Sequence, residues 1–216
     1  MATFTTASDP ARADFRGDRW LQAIVGTLAA LWLVLAIEPV DRRDWLLENL
    51  LVLALVISGL VTYRRWPFSD LSYTLIALFL ALHLIGAHYT YVRVPAGFWL
   101  QEWLGLSRNH FDRVAHFAFG LLVAYPMREL LSRWSAIRPG WVPVTAFAVI
   151  VAASDVFELL EWMVAEIVSP ETATVYLGMQ GDPFDAQKDI VLAHAGAIIG
   201  LSVAAIVARG KRAVNP

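Results

Sequence analysis

The feature that most constrains this chain is a series of apolar segments, each about as long as a membrane-spanning helix. Such a helix needs about 20 mostly apolar residues to cross roughly 30 Å of hydrocarbon. The chain is 58% hydrophobic and only 17% charged, whereas soluble domains carry about 25% charged residues. The sequence therefore predicts an all-α, multi-pass transmembrane helix bundle with about six spans, at residues 20–37, 45–63, 70–87, 111–131, 142–167 and 188–208.

The segment between the third and fourth spans, residues 88–110, is aromatic and polar rather than apolar. Its Trp99 and Trp103 suit a membrane–water interface, so we expect a short interfacial helix there. Without an internal repeat or a long linker, residues 20–208 form one integral-membrane domain between a polar tail, 1–19, and a basic tail, 209–216. The first span lacks a small-residue cleavage pattern, which predicts that it is retained rather than removed as a signal peptide.

The distribution of lysine and arginine predicts the orientation of the chain. With the N-terminus inside, eleven basic residues lie in inside segments and six outside, which places both termini in the cytoplasm of a bacterial inner membrane. The inside residues are Arg12, Arg16, Arg19, Arg64, Arg65, Arg128, Arg133, Arg138, Arg209, Lys211 and Arg212, and the outside ones are Arg42, Arg43, Arg93, Arg108, Arg113 and Lys188.

Composition excludes several classes of function. The absence of cysteine excludes disulfides, thiolate nucleophiles and cysteine metal ligands. The net charge of -2 and the lack of a basic tract give no support for a nucleic-acid partner, so the expected partner is the lipid bilayer. No sequence signature of a zinc protease, a serine hydrolase or a P-loop is present.

Acidic residues and histidines concentrate at the outer ends of the predicted helices. The stretch GMQGDPFDAQKDI, residues 178–190, lies there between the last two spans, and all five histidines fall at the same end. From residue 88 onward, leaving out the segments predicted to be cytoplasmic, the chain contains ten acidic and four basic residues. The ten acids are Glu102, Asp112, Asp155, Glu158, Glu161, Glu166, Glu171, Asp182, Asp185 and Asp189. Carboxylates so close to hydrocarbon need protons, water or a cation.

Helical spacing selects the candidate site residues. Asp112 and His116 are four residues apart and share a helix face, as do Asp185 and Asp189 if the last helix starts early. We expect these four to bind a divalent ion such as zinc, magnesium or manganese. Glu158 is the candidate general base, and Glu161 is a further candidate catalytic residue. Further candidate site residues are Asp155, Asp182, Gln187 and His194.

Structural roles compete with these functional ones. The three aspartates could form a solvated loop with a helix N-cap, although Gly178, Gly181 and Pro183 favour a shaped turn. We expect structural roles for His83 and His88. The G-x-x-x-G formed by Gly196 and Gly200 predicts close helix packing.

Three stretches carry a resemblance to a family: residues 89–117, ELLEW at 158–162 and residues 178–200. They resemble the uncharacterised bacterial inner-membrane proteins typified by YjdF, whose last motif reads G-T-Q-G-D-x-W-D-x-Q-x-D-M. Met179, Phe184 and Ile190 depart from that motif. The resemblance implies a multi-pass inner-membrane protein but does not imply any particular activity. A remoter likeness to VanZ-like membrane proteins, at Asp112, His116, Glu158 and Asp189, implies a role in the cell envelope.

Three hypotheses of function follow. The leading one is a cation-dependent enzyme acting on a lipid or envelope-linked molecule at an outward-facing site. The second is a small proton- or cation-coupled transporter, in which Asp155, Glu158 and Glu161 act and a homo-oligomer compensates for the small bundle. The third is a structural or regulatory membrane partner, for which neutralising the acids lowers stability only.

Overall fold

A computed structural model describes residues 15–214, with side chains described as far as Ala208. Within that part the chain forms eight α-helices and no strand. The predicted tails, 1–19 and 209–216, therefore lie largely outside the described residues. The helices are α1 (Arg19–Leu35), α2 (Arg42–Thr62), α3 (Asp70–His88), α4 (Pro95–Leu104), α5 (Phe111–Trp134), α6 (Val142–Ala165), α7 (Pro170–Tyr176) and α8 (Asp185–Val214).

Five of these helices, α2, α3, α5, α6 and α8, are long and apolar enough to cross a membrane, and α1 is a shorter apolar helix of 17 residues. The all-α, multi-pass bundle expected from the sequence is confirmed. The ten-residue helix α4 occupies the segment that was predicted to contain a short helix. Helix α7 was not predicted, because seven residues are too few to show a clear helical period.

Local capping fixes where the helices begin. The Asp41 side chain accepts hydrogen bonds from the backbone N–H groups of Arg43 and Asp44, so α2 starts three residues before its apolar segment. Asp18 accepts from Leu21 at the start of α1, and Ser69 accepts from Ser72 at the start of α3. Such caps satisfy N–H groups that have no partner inside the helix.

Helices α5, α6 and α8 form the centre of the bundle. Their shared core contains Ala124, Ala146, Ile150, Ala197 and Leu201. Close approach is possible because small residues line the contact: a Cβ atom on Gly120 would collide with the backbone of Ala193, and one on Gly196 with the backbone of Phe117. The predicted role of the G-x-x-x-G motif in helix packing is confirmed.

The other helices surround this centre. Helix α3 packs on α5, α1 and α2 pack on α3, and α7 lies beside α6. The apolar side chains Leu50, Leu60 and Val61 of α2 are more than half exposed, as expected for a helix that faces lipid tails. Helices α2, α5 and α8 begin at one end of the bundle, and α3 ends there. The polar residues at these four helix ends therefore lie close together.

Candidate functional site

The loop before α8 has a fixed, unusual backbone. Gly178 and Gly181 adopt positive φ angles of 58° and 84°, and Gln180 lies between them at 48°. Glycine adopts such angles without steric cost. The Gln180 side chain donates a hydrogen bond of 2.8 Å to the carbonyl oxygen of Asn109, just before α5. The loop is therefore a shaped turn attached to the start of α5, as the glycine and proline pattern predicted.

Two arginines near the start of α5 bind the aspartates of this loop. The Arg108 guanidinium forms a two-point ion pair with the Asp185 carboxylate and donates a 2.5 Å hydrogen bond to the carbonyl oxygen of Met179. Arg113 donates to Asp182 at 2.7 Å and to Asp185 at 3.2 Å. Asp185 is buried and only 4% exposed, so the alternative of a loose, solvated loop does not describe it.

The charges around Asp182 favour its ionised form. Lys188 donates a 2.5 Å hydrogen bond to Asp182, and Phe184 and Arg113 donate further ones. These bonds hold the pKa of Asp182 well below its usual range. Burial and the neighbouring Arg113 lower the pKa of His110, whose Nδ1 accepts a 3.1 Å hydrogen bond from Arg113.

Three aspartates converge where α5 and α8 begin. One carboxylate oxygen from each of Asp112, Asp185 and Asp189 lies within 4.8 Å of the others. Two oxygens that each lie about 2.3 Å from one ion are at most about 4.6 Å apart, so this spacing is close to that of a cation site. The structure thus brings together three of the four residues that the sequence suggested as metal ligands.

Asp189 is buried without the partners that a buried carboxylate requires. It is 2% exposed, and its Oδ1 atom has no hydrogen-bond partner among residues 15–208. Glu129, at the other end of the bundle, shows the contrast. Its carboxylate accepts hydrogen bonds from the Ser69 backbone and hydroxyl, from Ser72 and from Arg133. The buried carboxylate at that end is therefore satisfied, whereas at the other end several buried carboxylate oxygens, that of Asp189 among them, have no hydrogen-bond partner within residues 15–208.

A histidine links the aspartates to α6. The Nε2 atom of His116 lies 3.6 Å from the Asp112 carboxylate and 3.3 Å from the Glu158 carboxylate. Glu161 lies three residues after Glu158 on α6, so the two share a helix face. Glu161 is partly buried, whereas the next residue, Trp162, is 57% exposed.

The remaining predicted candidates lie apart from the three aspartates. His194 and Asp155 form their own pair, with 3.4 Å between Nε2 and Oδ1, and the Asp155 side chain is 45% exposed. Gln187 is exposed, because two residues along a helix point away from the face that carries Asp185 and Asp189. Gln180 supplies the amide contact in this region instead.

Two acidic residues of α2 were missed. Asp44 is 1% and Glu48 3% exposed, and one oxygen of each has no hydrogen-bond partner within residues 15–208. The charges of Glu48, Asp112 and Glu161 interact through space, so α2 forms another wall of the polar region. The sequence contains a pattern that could have predicted these two residues. Asp44 and Glu48 are four residues apart at the start of a helix, as are Asp112 and His116.

The histidines of α3 have structural partners. His83 lies 3.1 Å from the carbonyl oxygen of Glu48, and its other ring nitrogen lies 2.5 Å from the Tyr91 hydroxyl. The Nδ1 atom of His88 lies 2.8 Å from the carbonyl oxygen of Leu35. These contacts join α3 to α2, to the residues before α4 and to the end of α1, as expected for packing residues.

The site combines fixed carboxylate oxygens with an excess of acidic over basic groups. Five carboxyl groups face three basic side chains, which would leave two negative charges with every carboxyl group ionised and His116 neutral. A divalent cation would balance that excess, and its oxygen ligands would be of the hard type. The groups are the acids Asp112, Glu158, Asp182, Asp185 and Asp189 and the bases Arg108, Arg113 and Lys188.

Comparisons with known proteins agree with this description of a helical membrane protein. The family model described as "Predicted membrane protein (DUF2238)" matches residues 20–210. The chain is 40% identical over 173 residues to the inner membrane protein YjdF of Escherichia coli strain K12, and the match covers 80% of this chain and 82% of that protein. No solved structure matches the chain. This protein therefore belongs to the DUF2238 family of membrane proteins and is a homologue of an inner membrane protein.

Proposed function

We propose that the acidic cluster at the start of α5 and α8 binds a divalent cation through Asp112, Asp185 and Asp189. Two observations carry this proposal: the buried Oδ1 atom of Asp189 has no hydrogen-bond partner among residues 15–208, and one carboxylate oxygen of Asp189 lies within 4.8 Å of one from each of Asp112 and Asp185. An unpaired buried carboxylate is costly. A cation shared with Asp112 and Asp185 would remove that cost for Asp189.

The ligand set favours a hard cation. Three carboxylates without a thiolate suit magnesium, manganese or calcium better than zinc. His116 is not a direct ligand of the cation in this proposal, because it does not belong to the three-aspartate group. Its ring nitrogen contacts the carboxylates of Asp112 and Glu158, so it would orient Asp112 as a ligand. Residues that hydrogen-bond to the direct ligands of a metal orient those ligands and tune the affinity for the metal.

The proposed activity is cation-dependent chemistry on a lipid or envelope-linked molecule. A cation held at the end of a transmembrane bundle polarises a phosphoryl or carbonyl oxygen of a molecule at the membrane surface. Glu158, which is 9% exposed and lies 3.3 Å from His116, is the candidate general base. The proposal places the site on the outer face of the membrane.

The experiment uses the full-length protein in nanodiscs made from a total polar lipid extract of bacterial membranes. Mass spectrometry follows the lipids with added Mn²⁺ or Mg²⁺ and with a chelator. We expect a new lipid product only when the cation is present, and its loss in Glu158→Gln but not in Glu102→Gln, an exposed acid of α4. Identical lipids in every sample would remove the enzymatic proposal.

Proton- or cation-coupled transport is the second candidate, supported by the carboxyl groups that continue from the aspartates toward α2. Glu158 and Glu161 lie three residues apart on one face of α6, and the charge of Glu161 interacts with that of Glu48. Such a series of carboxyl groups can pass protons between helices. Proteoliposomes containing a pH-sensitive dye would test it: transport predicts proton uptake that Glu161→Gln abolishes, and equal uptake in empty vesicles would contradict it.

A further inference from the structure

We propose that the protein binds the phosphate head group of one anionic phospholipid in a cavity at the end of the bundle opposite the acidic cluster. The cavity has a volume of about 540 Å³ and lies between the ends of α5 and α8 and the start of α6. That volume lies in the range of small-molecule sites, which is about 300–1,000 Å³. Its walls include Arg128, Ser132, Gly140, Val142, Ala205 and Ala208.

Arg128 is the charged side chain that lines the cavity. Its side chain is partly buried, and among residues 15–208 it makes no hydrogen bond or ion pair. Arg133, one and a half turns further along α5, has partners within the protein. It donates a 2.5 Å hydrogen bond to Glu129 and lies over the Trp134 ring. A guanidinium carries five N–H donors, and a phosphate group offers the acceptors that Arg128 lacks.

The backbone on the other side of the cavity also favours an anion. Helix α6 begins at Val142 without a side-chain cap from Trp141 and without an acidic residue in its first turn. Pro143 has no N–H group, so the backbone donors in this first turn are those of Val142 and Val144, and they and the positive end of the helix dipole lie beside the cavity, which Gly140 and Pro143 line. The Ser132 hydroxyl, one turn after Arg128, adds a further donor.

The surroundings identify the anion as part of a lipid rather than a free phosphate. Val142, Ala205 and Ala208 give the cavity an apolar side, which suits the glycerol and upper acyl chain of a lipid. The neighbouring Trp141 is 62% exposed, as expected at a membrane–water interface. The same end carries further arginines, which attract anionic lipid: Arg64, Arg65, Arg133 and Arg138.

The experiment counts lipids retained by the full-length protein. The protein is taken from nanodiscs with equal amounts of phosphatidylglycerol and phosphatidylcholine into detergent, and native mass spectrometry measures bound lipid. We expect about one phosphatidylglycerol per chain, and in Arg128→Gln a preference for it that is lower by roughly tenfold or more, because a charge-assisted hydrogen bond is lost. The matched control is Arg64→Gln, an exposed arginine at the same end and outside the cavity, which should retain the lipid.

A second variant separates the cavity from diffuse electrostatic attraction. Ala205→Phe fills the apolar side and keeps every charge, so it should also reduce retention of phosphatidylglycerol. Equal retention in Arg128→Gln and the unmodified protein, or equal loss in Arg64→Gln, would overturn the proposal. Soluble glycerol phosphate that displaces the lipid at low concentration, in the unmodified protein and in Ala205→Phe alike, would instead indicate a free phosphate ligand. Because the cavity lies at the other end of the bundle, all three variants should bind Mn²⁺ normally.

Discussion

The Nε2 atom of His116 lies 3.3 Å from the Oε1 atom of Glu158, which connects α5 to α6 beside the three aspartates. The same nitrogen lies 3.6 Å from Asp112. His116 is thus placed between a proposed cation ligand and the proposed general base, and it can hold both in position.

This position predicts an intermediate effect for His116→Ala. Loss of a residue that only orients a ligand typically lowers metal affinity about 10–100-fold. Isothermal titration with Mn²⁺ should therefore show weaker but measurable binding in His116→Ala, whereas Asp189→Asn should show none. Equal and complete loss in both variants would mean that His116 is itself a ligand, as the sequence suggested, and unchanged affinity would remove its orienting role.

The ion pair between Arg108 and Asp185 predicts a large effect on stability. Both side chains are buried, with 11% and 4% exposure, and removing one partner of a buried pair costs about 3–5 kcal/mol. Arg108→Ala should therefore lower the thermal midpoint in detergent by many degrees and expose the 178–185 loop to proteases. The control is Arg93→Ala, an exposed arginine before α4, which should behave like the unmodified protein. A small effect of Arg108→Ala would show that the loop is held by other contacts.

Substitution by alanine is predicted to have different effects on stability at two glycines, one inside the contact between α5 and α8 and one outside it. A methyl group on Gly196 would collide with the backbone of Phe117 and Leu121, which cannot move aside as a side chain can. Gly196→Ala should destabilise the protein by about 1–3 kcal/mol or more. Gly59, in the interior of α2, has nothing within 4 Å of the added atom, so Gly59→Ala should be neutral or stabilising by about 0.5–1 kcal/mol. Unfolding measured by circular dichroism compares the two, and equal effects would contradict the observed helix packing.

Much of the fold was predictable because apolar segments of span length determine where helices form. The starts of α2 and α8 were less predictable, since the former depends on the Asp41 cap and the latter begins at Asp185, within a polar stretch. The convergence of Asp112, Asp185 and Asp189 followed from their place at one end of the bundle. The pairing of Arg108 with Asp185 did not, because these residues are 77 positions apart and meet only through tertiary packing. Asp44 and Glu48 were overlooked because the acids were counted only from residue 88 onward.

The low pKa of Asp182 predicts how the loop responds to pH. A carboxyl group whose pKa is lowered in the folded state contributes stability above its unfolded pKa, near 4, and loses that contribution as the pH falls below it. The protection factors of residues 178–188 against hydrogen exchange, which correct for the intrinsic pH dependence of the exchange rate, should therefore remain constant from pH 7 to about pH 5 and decrease below pH 4.

Asp182→Asn should show faster exchange at pH 7 than the unmodified protein, because Lys188 and Arg113 lose their charged partner. Its exchange should also lack the acid-dependent change. A loop with the same protection in both proteins at every pH would show that these ion pairs do not hold it.

The most direct test of the account is to count Mn²⁺ ions bound per chain by electron paramagnetic resonance, in the purified protein and in Asp189→Asn, with Glu102→Gln as the matched control. The proposed site predicts one ion in the unmodified protein and in Glu102→Gln, and none in Asp189→Asn. No bound ion in the unmodified protein, or the same number in Asp189→Asn, would contradict the claim that these three aspartates form a cation site.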